Sequence, residues 1–171
     1  QSYKTYGVSS SMLNVFFAGP QMKQQNDVTL FYKRTLNSPY HDGPVAFYKN
    51  GSQIVFSRNN LKGSKPVTRN GRINLELYFA RLSGTGEISQ MEPFAFNSDD
   101  YSIGHPWIAD SGDTLFFASD MPGGIGGTDL YRSVKVNGKW DKPLNLGPSI
   151  NTPGDEFYPF LANDSTFLFA S

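Results

Sequence analysis

The chain of 171 residues has no cysteine and no excess of either charge, because 15 Lys and Arg residues balance 15 Asp and Glu residues. The lack of cysteine excludes a disulfide framework and a thiolate metal site within these residues. The zero formal charge argues against a nucleic-acid binder and against attachment to an anionic membrane surface by charge alone. No apolar run approaches the roughly 20 residues that a membrane-spanning helix needs.

Aromatic residues, glycine and proline are abundant instead. Aromatic residues make up 15% of the chain, which also contains 17 Gly and 11 Pro residues. Aromatic side chains favour strands, glycine and proline favour turns, and no stretch shows an apolar period of 3.6 residues. The composition therefore predicts an all-β protein of many short strands, and the length predicts one domain.

One strand motif, which combines aromatic and aliphatic residues and ends in a small residue, recurs along the chain. Its copies are NVFFAG, QIVFSR, TLFFAS and TFLFAS, at residues 14–19, 53–58, 114–119 and 166–171. A proline lead-in precedes the last three copies, at Pro44, Pro106 and Pro159, and Tyr6-Gly7-Val8 is a weaker lead-in for the first. Polar turns rich in Asn, Asp and Gly separate each lead-in from its strand, which is typical of β-hairpins.

A second strand motif follows the first as TLFYK, ELYFA and DLYRS, at residues 29–33, 76–80 and 129–133. An outer strand near Met91–Phe96 or Trp140–Gly147 completes the pattern. Four antiparallel strands repeated about every 40–60 residues are the signature of a β-propeller blade. The sequence therefore predicts one partial β-propeller of about three and a half four-stranded blades, with repeats at 1–43, 44–103, 104–156 and 157–171.

This number of blades does not close a ring, since a propeller needs at least about four. A last strand that ends at Ser171 would also be an exposed edge, which proteins usually avoid. We therefore expect the natural protein to continue beyond Ser171 and to begin before Gln1.

The segment HPWIADSGDTLFFASDMPGGIGGTDLYRS, residues 105–133, closely resembles the WD-like repeat of TolB-type propellers. The likeness is greatest to repeats in OmpA-family outer-membrane proteins of the Bacteroidota, and residues 137–171 continue it. The first two repeats depart from the pattern because they lack the Gly-Gly-Xaa-Gly-Gly segment. The resemblance implies a periplasmic protein at the outer membrane, often a lipoprotein, whose chain also carries a peptidoglycan-binding domain. It further implies a scaffold for protein contacts, in some members within type IX secretion or gliding machinery.

Strand direction predicts that the loops between second and third strands share one side with the loops between repeats. These loops are 19–27, 58–73 and 120–127, together with 37–43, 97–105 and 148–158. Long loops on a rigid scaffold commonly carry binding function. We therefore expect partner-binding residues on this loop face, namely His41, Asp42, His105, Trp107, Asp120, Asp129, Asp155, Glu156 and Tyr158.

The glycine-rich segment 120–129 has two interpretations. It could form a backbone nest for an anion, or a cation site that uses Asp120 and Asp129. The favoured interpretation is a tight loop with positive φ angles, in which Asp129 accepts hydrogen bonds from backbone amides. The glycines do not open a helix after a strand, so neither the dinucleotide fingerprint nor the P-loop fits.

The remaining candidates are interpreted as structural rather than chemical. The acidic pairs Asp99-Asp100 and Asp155-Glu156 are read as solvated loop residues instead of glycosidase carboxylates. The histidines His41 and His105 are read as turn residues rather than as channel or metal-binding groups. Four aromatic residues that could stack on sugars are instead expected to pack within blades: Trp107, Tyr131, Trp140 and Tyr158.

No Gly-Xaa-Ser-Xaa-Gly elbow is present, and the two histidines leave few options for a catalytic triad. We therefore expect a non-catalytic protein without a cofactor, which serves as a protein-interaction scaffold of the bacterial cell envelope. Two alternatives stay open at this point. One is a propeller that binds glycan or peptidoglycan fragments, and the other is the non-catalytic propeller of an exported peptidase or glycoside hydrolase.

Overall fold

The computed structural model describes residues 16–18, 28–30, 40–63, 65–69, 71–83, 88–163 and 165–171. Within these ranges every regular element is a strand and every strand pairing is antiparallel. The same ranges contain no helix long and apolar enough to cross a membrane. The all-β prediction is confirmed.

The first large sheet is built from the second predicted repeat. A short ladder of β1 (Phe16–Ala18) and β2 (Val28–Leu30) precedes it. The sheet begins with β3 (Asp42–Tyr48) and β4 (Gln53–Asn59). A loop then carries two small ladders, β5 (Leu61–Lys62) with β6 (Lys65–Pro66) and β7 (Thr68–Arg69) with β8 (Arg72–Ile73). With β9 (Leu75–Leu82) and β10 (Ile88–Pro93) the strand order is β10-β9-β4-β3.

The second sheet contains β11 (Ile103–Ile108), β12 (Thr114–Ser119) and β13 (Asp129–Val136). Its predicted outer strand is divided into β14 (Lys139–Trp140) and β15 (Leu144–Asn145), which both pair with β13. Pro143 lies between them, and proline cannot donate a ladder hydrogen bond. The third sheet is the hairpin of β16 (Phe157–Asn163) and β17 (Thr166–Ala170).

The predicted strand motifs are confirmed where the structure describes them. The aromatic motifs supply β1, β4, β12 and β17, and the second motifs supply β2, β9 and β13. Of repeat one the structure describes residues 16–18, 28–30 and 40–43, so the lead-in Tyr6-Gly7-Val8 and the loop 19–27 lie outside the described residues.

The main hydrophobic core lies between the first and second sheets. Val55 and Leu77 of the first sheet meet Leu115 and Phe117 of the second, and all four are fully buried. Tyr131 stacks on Phe117 with ring centroids 5.9 Å apart. Tyr131 therefore packs inside the core, as the sequence predicted.

The second and third sheets each meet the preceding sheet through corresponding strands. Strand β11 lies against β3 and β4, and β16 lies against β11 and β12. The ring of Phe167 in β17 is 5.1 Å from that of Phe116 in β12. The relation between the first and second sheets is thus repeated between the second and third.

A β-bulge interrupts the first strand of each of these sheets. The bulges lie between Asp42 and Val45, between Gly104 and Trp107, and between Phe157 and Phe160. Each bulge contains one of the lead-in prolines, because a bulge leaves a residue out of the ladder and so tolerates the missing N–H.

The predicted alignment of these prolines is wrong by one residue in β3. Trp107 pairs with Phe116, the residue that precedes the motif phenylalanine of β12. The corresponding residue in β3 is Ala46, which pairs with Val55, whereas aligning Pro44 with Pro106 puts Val45 at the position of Trp107. The error arises because the sequence does not show which residue of a bulge is the extra one.

Candidate functional site

The described parts of the predicted loop face do lie together. Asn60 and Asn74 flank the ladders between β4 and β9. Nδ2 of Asn60 donates to Oδ1 of Asp99 at 2.6 Å, and Nδ2 of Asn74 donates to the backbone oxygen of Asp99 at 2.8 Å. The backbone N–H of Ser102 donates to Oδ1 of Asp120 at 2.6 Å. Asp99, which was predicted to be solvated, therefore ties one loop to the next, and Asp120 does the same.

Asp129 holds the glycine-rich loop in the way the favoured interpretation predicted. Its buried carboxylate accepts hydrogen bonds from the backbone N–H groups of Ile125 and Gly126 and from Nδ2 of Asn145. The described residues contain no group of three or more His, Cys, Asp or Glu side chains that could hold a metal ion.

The glycine-rich loop packs against the loop that follows β15. A Cβ atom at Gly126 would overlap the backbone oxygens of Thr152 and Gly154, so only glycine fits there. The backbone N–H of Gly127 donates to the oxygen of Gly154 at 2.8 Å. The exposed Asp155 also has a structural role, because Oδ1 accepts the backbone N–H of Thr128 at 2.7 Å.

Glu156 contradicts the prediction of a solvated acid, because it is fully buried. Its Oε1 accepts hydrogen bonds from Oγ1 of Thr152 and Oγ of Ser171, at 2.5 and 3.2 Å. Its Oε2 is buried and makes no hydrogen bond within the described residues. The neighbouring loop and the third sheet enclose this carboxylate, which sequence position alone did not reveal.

A pocket of about 640 Å³ opens on the loop face where the first strands of the sheets begin. It brings together the predicted residues His41, Asp42, His105 and Tyr158. Sequence reasoning missed seven further lining residues: Gly43, Pro44, Val45, Asn59, Ile73, Leu75 and Ser102. For Gly43, Asn59, Ile73 and Ser102 the predicted loop boundaries were the signal, whereas Leu75 lies outside the predicted loops. A mainly apolar cavity with a few convergent polar groups is the usual form of a ligand site.

The bulges of β11 and β16 place His105 and Tyr158 in the pocket wall. The two residues occupy equivalent positions and have φ angles of +50° and +53°, which non-glycine residues seldom adopt. Their rings meet edge to face with centroids 4.4 Å apart. Bulges commonly redirect side chains beside binding sites, and backbone strain of this kind is concentrated at such sites.

Burial is the main influence on the pKa of His105. It lowers the pKa of the imidazole below the ordinary value of 6.5, so the ring is uncharged at neutral pH. The backbone N–H of His105 donates to Oγ of Ser57 at 3.1 Å, and Nδ1 is buried without a hydrogen bond in the described part of the chain. The ring of Phe157, 5.2 Å away, adds to the apolar surroundings.

The acidic wall of the pocket is neutralised by an internal ion pair. The side chain of Asp42 is fully buried, and its Oδ1 lies 2.6 Å from Nε of Arg58. His41 is anchored by its backbone, which exchanges hydrogen bonds with Asn59 at 2.9 and 3.1 Å. The pocket thus offers apolar surface, aromatic rings and an uncharged imidazole, a combination suited to holding an apolar or weakly polar group.

Trp107 lies outside the pocket, with its ring 5.7 Å from that of Phe116. It packs on the face of the second sheet that meets the third sheet, so the packing interpretation of this residue is confirmed. Trp140 likewise packs, because its ring stacks on Phe79 at 5.5 Å. Tyr158 differs from both, since 58% of it is exposed.

The lowered pKa of His105 predicts a pH dependence of stability. The contribution of His105 to the free energy of unfolding should be constant well above pH 6.5 and fall as the pH drops through this value, because the unfolded histidine then binds a proton that the folded one does not. Urea unfolding at pH 7.5 and 5.5 measures this difference. The loss of stability between pH 7.5 and 5.5 should be smaller in His105→Gln than in the wild type. An equal loss in the two proteins would contradict a lowered pKa of His105.

The chain matches no protein-family model and no curated protein sequence.

Proposed function

We propose that the sheets are successive blades of a β-propeller, and that the chain is a non-catalytic scaffold which binds a protein partner at the pocket on its loop face. The observation that carries the proposal is that one pocket is assembled from the first strands of three sheets. The entrance to the central channel of a propeller is lined in this way, since the innermost strands of all blades meet there.

The repeated packing of the sheets supports the blade arrangement. Val55, Phe116 and Leu168 occupy equivalent positions that face the next sheet along the chain. Val55 and Phe116 are covered, with 0% and 9% exposure, but Leu168 is 53% exposed and its pairing partner Phe160 is 51% exposed. A further blade packed in the same relation would cover this apolar face.

The ionisable groups of the pocket favour binding over catalysis. Its carboxylate, Asp42, is held by Arg58, and the ring of His105 packs against aromatic rings. General acid–base catalysis needs a group that can reach the proton of a substrate and titrate near the working pH. Partner recognition instead uses exposed aromatic side chains with a polar tip, and Tyr158 is such a residue.

The cellular setting is proposed from the resemblance of residues 105–133 and 137–171 to the TolB-type repeats of OmpA-family proteins. We place the protein in the periplasm, associated with the outer membrane, where its partners would be other envelope proteins. Contact with peptidoglycan would require a domain outside these 171 residues.

A second candidate is binding of a glycan or peptidoglycan fragment in the same pocket. The exposure of the Tyr158 ring beside polar groups favours it, because sugars stack on such rings. Its ligand would be a soluble saccharide rather than a protein, which makes the two candidates experimentally separable.

The test compares capture of envelope proteins by the wild type, Tyr158→Ala and Phe160→Ala, with quantitative mass spectrometry as the readout. The capture uses these 171 residues, in which Phe160 is an aromatic residue of similar exposure outside the pocket and serves as the matched control. A protein partner should be retained by the wild type and Phe160→Ala but lose about tenfold in affinity with Tyr158→Ala, which corresponds to about 1.4 kcal/mol.

Titration of purified saccharides and muropeptides forms the other arm of this experiment. Binding of a saccharide that depends on Tyr158, without any protein retained through the pocket, would contradict the scaffold and support the second candidate.

A further inference from the structure

A second cavity, of about 520 Å³, lies between the outer strands β9 and β10 of the first sheet and the β13–β14 hairpin of the second. We call it the rim groove. It shares no lining residue with the pocket. Leu75 lines the pocket and Arg81 lines the rim groove, and these residues stand six positions apart on β9, which is about 20 Å of extended chain. The rim groove is therefore a separate surface.

The rim groove is cationic, although the chain as a whole has no net charge. Its lining includes Arg81, Lys135 and Lys139 but only one carboxylate, that of Glu92. Tyr48 lines the same groove, where burial raises the pKa of its phenol, the charge of Arg81 lowers it and the charge of Glu92 raises it. Charges of one sign gathered in a low-dielectric cleft attract oppositely charged ligands more strongly than the same charges spread over a surface, so the positive excess of the rim groove favours an anion.

The cations of the rim groove are not used in ion pairs of the described residues. The two ion pairs found there join Arg58 with Asp42 and Lys62 with Asp99. The groove cations are thus available to an external anion. Their positive charge exceeds the single negative charge of Glu92, so the groove would attract such an anion.

Aromatic rings hold one of these cations in place. The ammonium of Lys135 lies 4.7 Å from the ring centroid of Trp140 and 6.0 Å from that of Phe79. The two rings stack on each other at an angle of 20°. A cation that is already held over aromatic rings loses less conformational freedom when it binds an anion, which increases the affinity for that anion.

The same rings argue for a peptide rather than a sugar as ligand. The ring of Trp140 already contacts Phe79, Phe94 and Lys135, which leaves little of its surface for stacking on a saccharide. Strand β10 is the last strand in the order of its sheet, and an extended peptide can align along such an edge.

We propose that the rim groove binds an acidic segment of a protein partner, whose Asp or Glu carboxylates contact Arg81, Lys135 and Lys139. The guanidinium of Arg81 offers paired N–H donors that match the geometry of a carboxylate, and the two ammonium groups add charge on the opposite wall. The inference does not rest on the function proposed for the pocket, because the two cavities have no residue in common.

The test titrates a fluorescent octaglutamate peptide against the protein at low ionic strength, with octaglutamine as the neutral control. The variants Arg81→Gln and Lys139→Gln should each weaken binding of the acidic peptide about fivefold or more, and added salt should weaken it further. Arg132→Gln removes an equal charge from an exposed residue of β13 outside the rim groove, and it should leave the affinity unchanged.

The fluorescence of Trp140 provides a local readout. The chain has one other tryptophan, Trp107, which can be replaced by Phe. The acidic peptide should change this emission, and octaglutamine should not. The proposal is overturned if octaglutamate does not bind, if Arg132→Gln weakens binding as much as Arg81→Gln, or if an acidic polysaccharide binds where the peptide does not.

Discussion

Replacing Phe117 with alanine should lower the free energy of unfolding by about 3–5 kcal/mol. The side chain is fully buried between the first and second sheets, where its ring meets that of Phe94 at 5.6 Å and that of Tyr131 at 5.9 Å. Removing it takes away apolar contacts and leaves a cavity that the strands on either side cannot close. Urea unfolding followed by circular dichroism measures the change.

The matched control for this variant is Phe160→Ala, the same truncation at a residue that is 51% exposed. Its cost should stay below about 1 kcal/mol, as for most surface substitutions. Should Phe117→Ala prevent folding, Phe117→Leu keeps the comparison measurable, since it removes less volume. Equal losses from the two alanine variants would show that Phe117 is not in the core.

Replacing Asp42 with alanine should cost about 3–5 kcal/mol as well, for an electrostatic reason. The Asp42 side chain is fully buried and that of Arg58 is 13% exposed, with Nε and Oδ1 at 2.6 Å. Without this carboxylate the guanidinium keeps its desolvation cost but loses the charge that offsets it. Because Asp42 also lines the pocket, ligand binding there should weaken together with stability.

Lys62→Ala provides the control, since it breaks the ion pair with Asp99 in which the lysine side chain is 75% exposed. Solvent screens such a pair, so the cost should be about 0–1 kcal/mol. The double variant Asp42→Leu with Arg58→Met should recover much of the lost stability, because it removes both buried charges. A double variant no more stable than Asp42→Ala would contradict the electrostatic explanation.

The local features of the candidate site could be predicted from the sequence. The role of Asp129 followed from its place directly after a glycine-rich run, since a short acidic side chain can reach the amides of Ile125 and Gly126 a few residues away. The common side of the loops followed from the alternation of strand direction. Both conclusions depend on residues that are close together in the sequence, so the sequence alone was sufficient to predict them.

The pocket could be predicted only in part. His105 and Tyr158 were singled out as loop-face residues, but nothing in the sequence indicated that their rings touch. Their contact depends on two bulges and on how the third sheet packs against the second. The burial of Glu156, which the sequence suggested to be solvated, depends on the same packing.

Nothing in the sequence predicted the rim groove, because the residues that line it come from strands of different sheets. Arg81 and Lys139 are exposed charged residues that resemble many others on the surface. They line a common cavity only after the two sheets have packed together.

By itself the sequence determined the all-β class, the described strands that carry the two recurring motifs, and the conformational role of Asp129. These features arise from an alternation of two residues in strands and from the φ angles that Gly, Asn and Asp permit in turns. Tertiary structure alone decided the register at the bulge of β3, the ion pair of Asp42 with Arg58, the burial of Glu156 and the composition of both cavities. The reason is that burial, bulge direction and charge pairing depend on which sheet face lies opposite, and no local pattern carries that information.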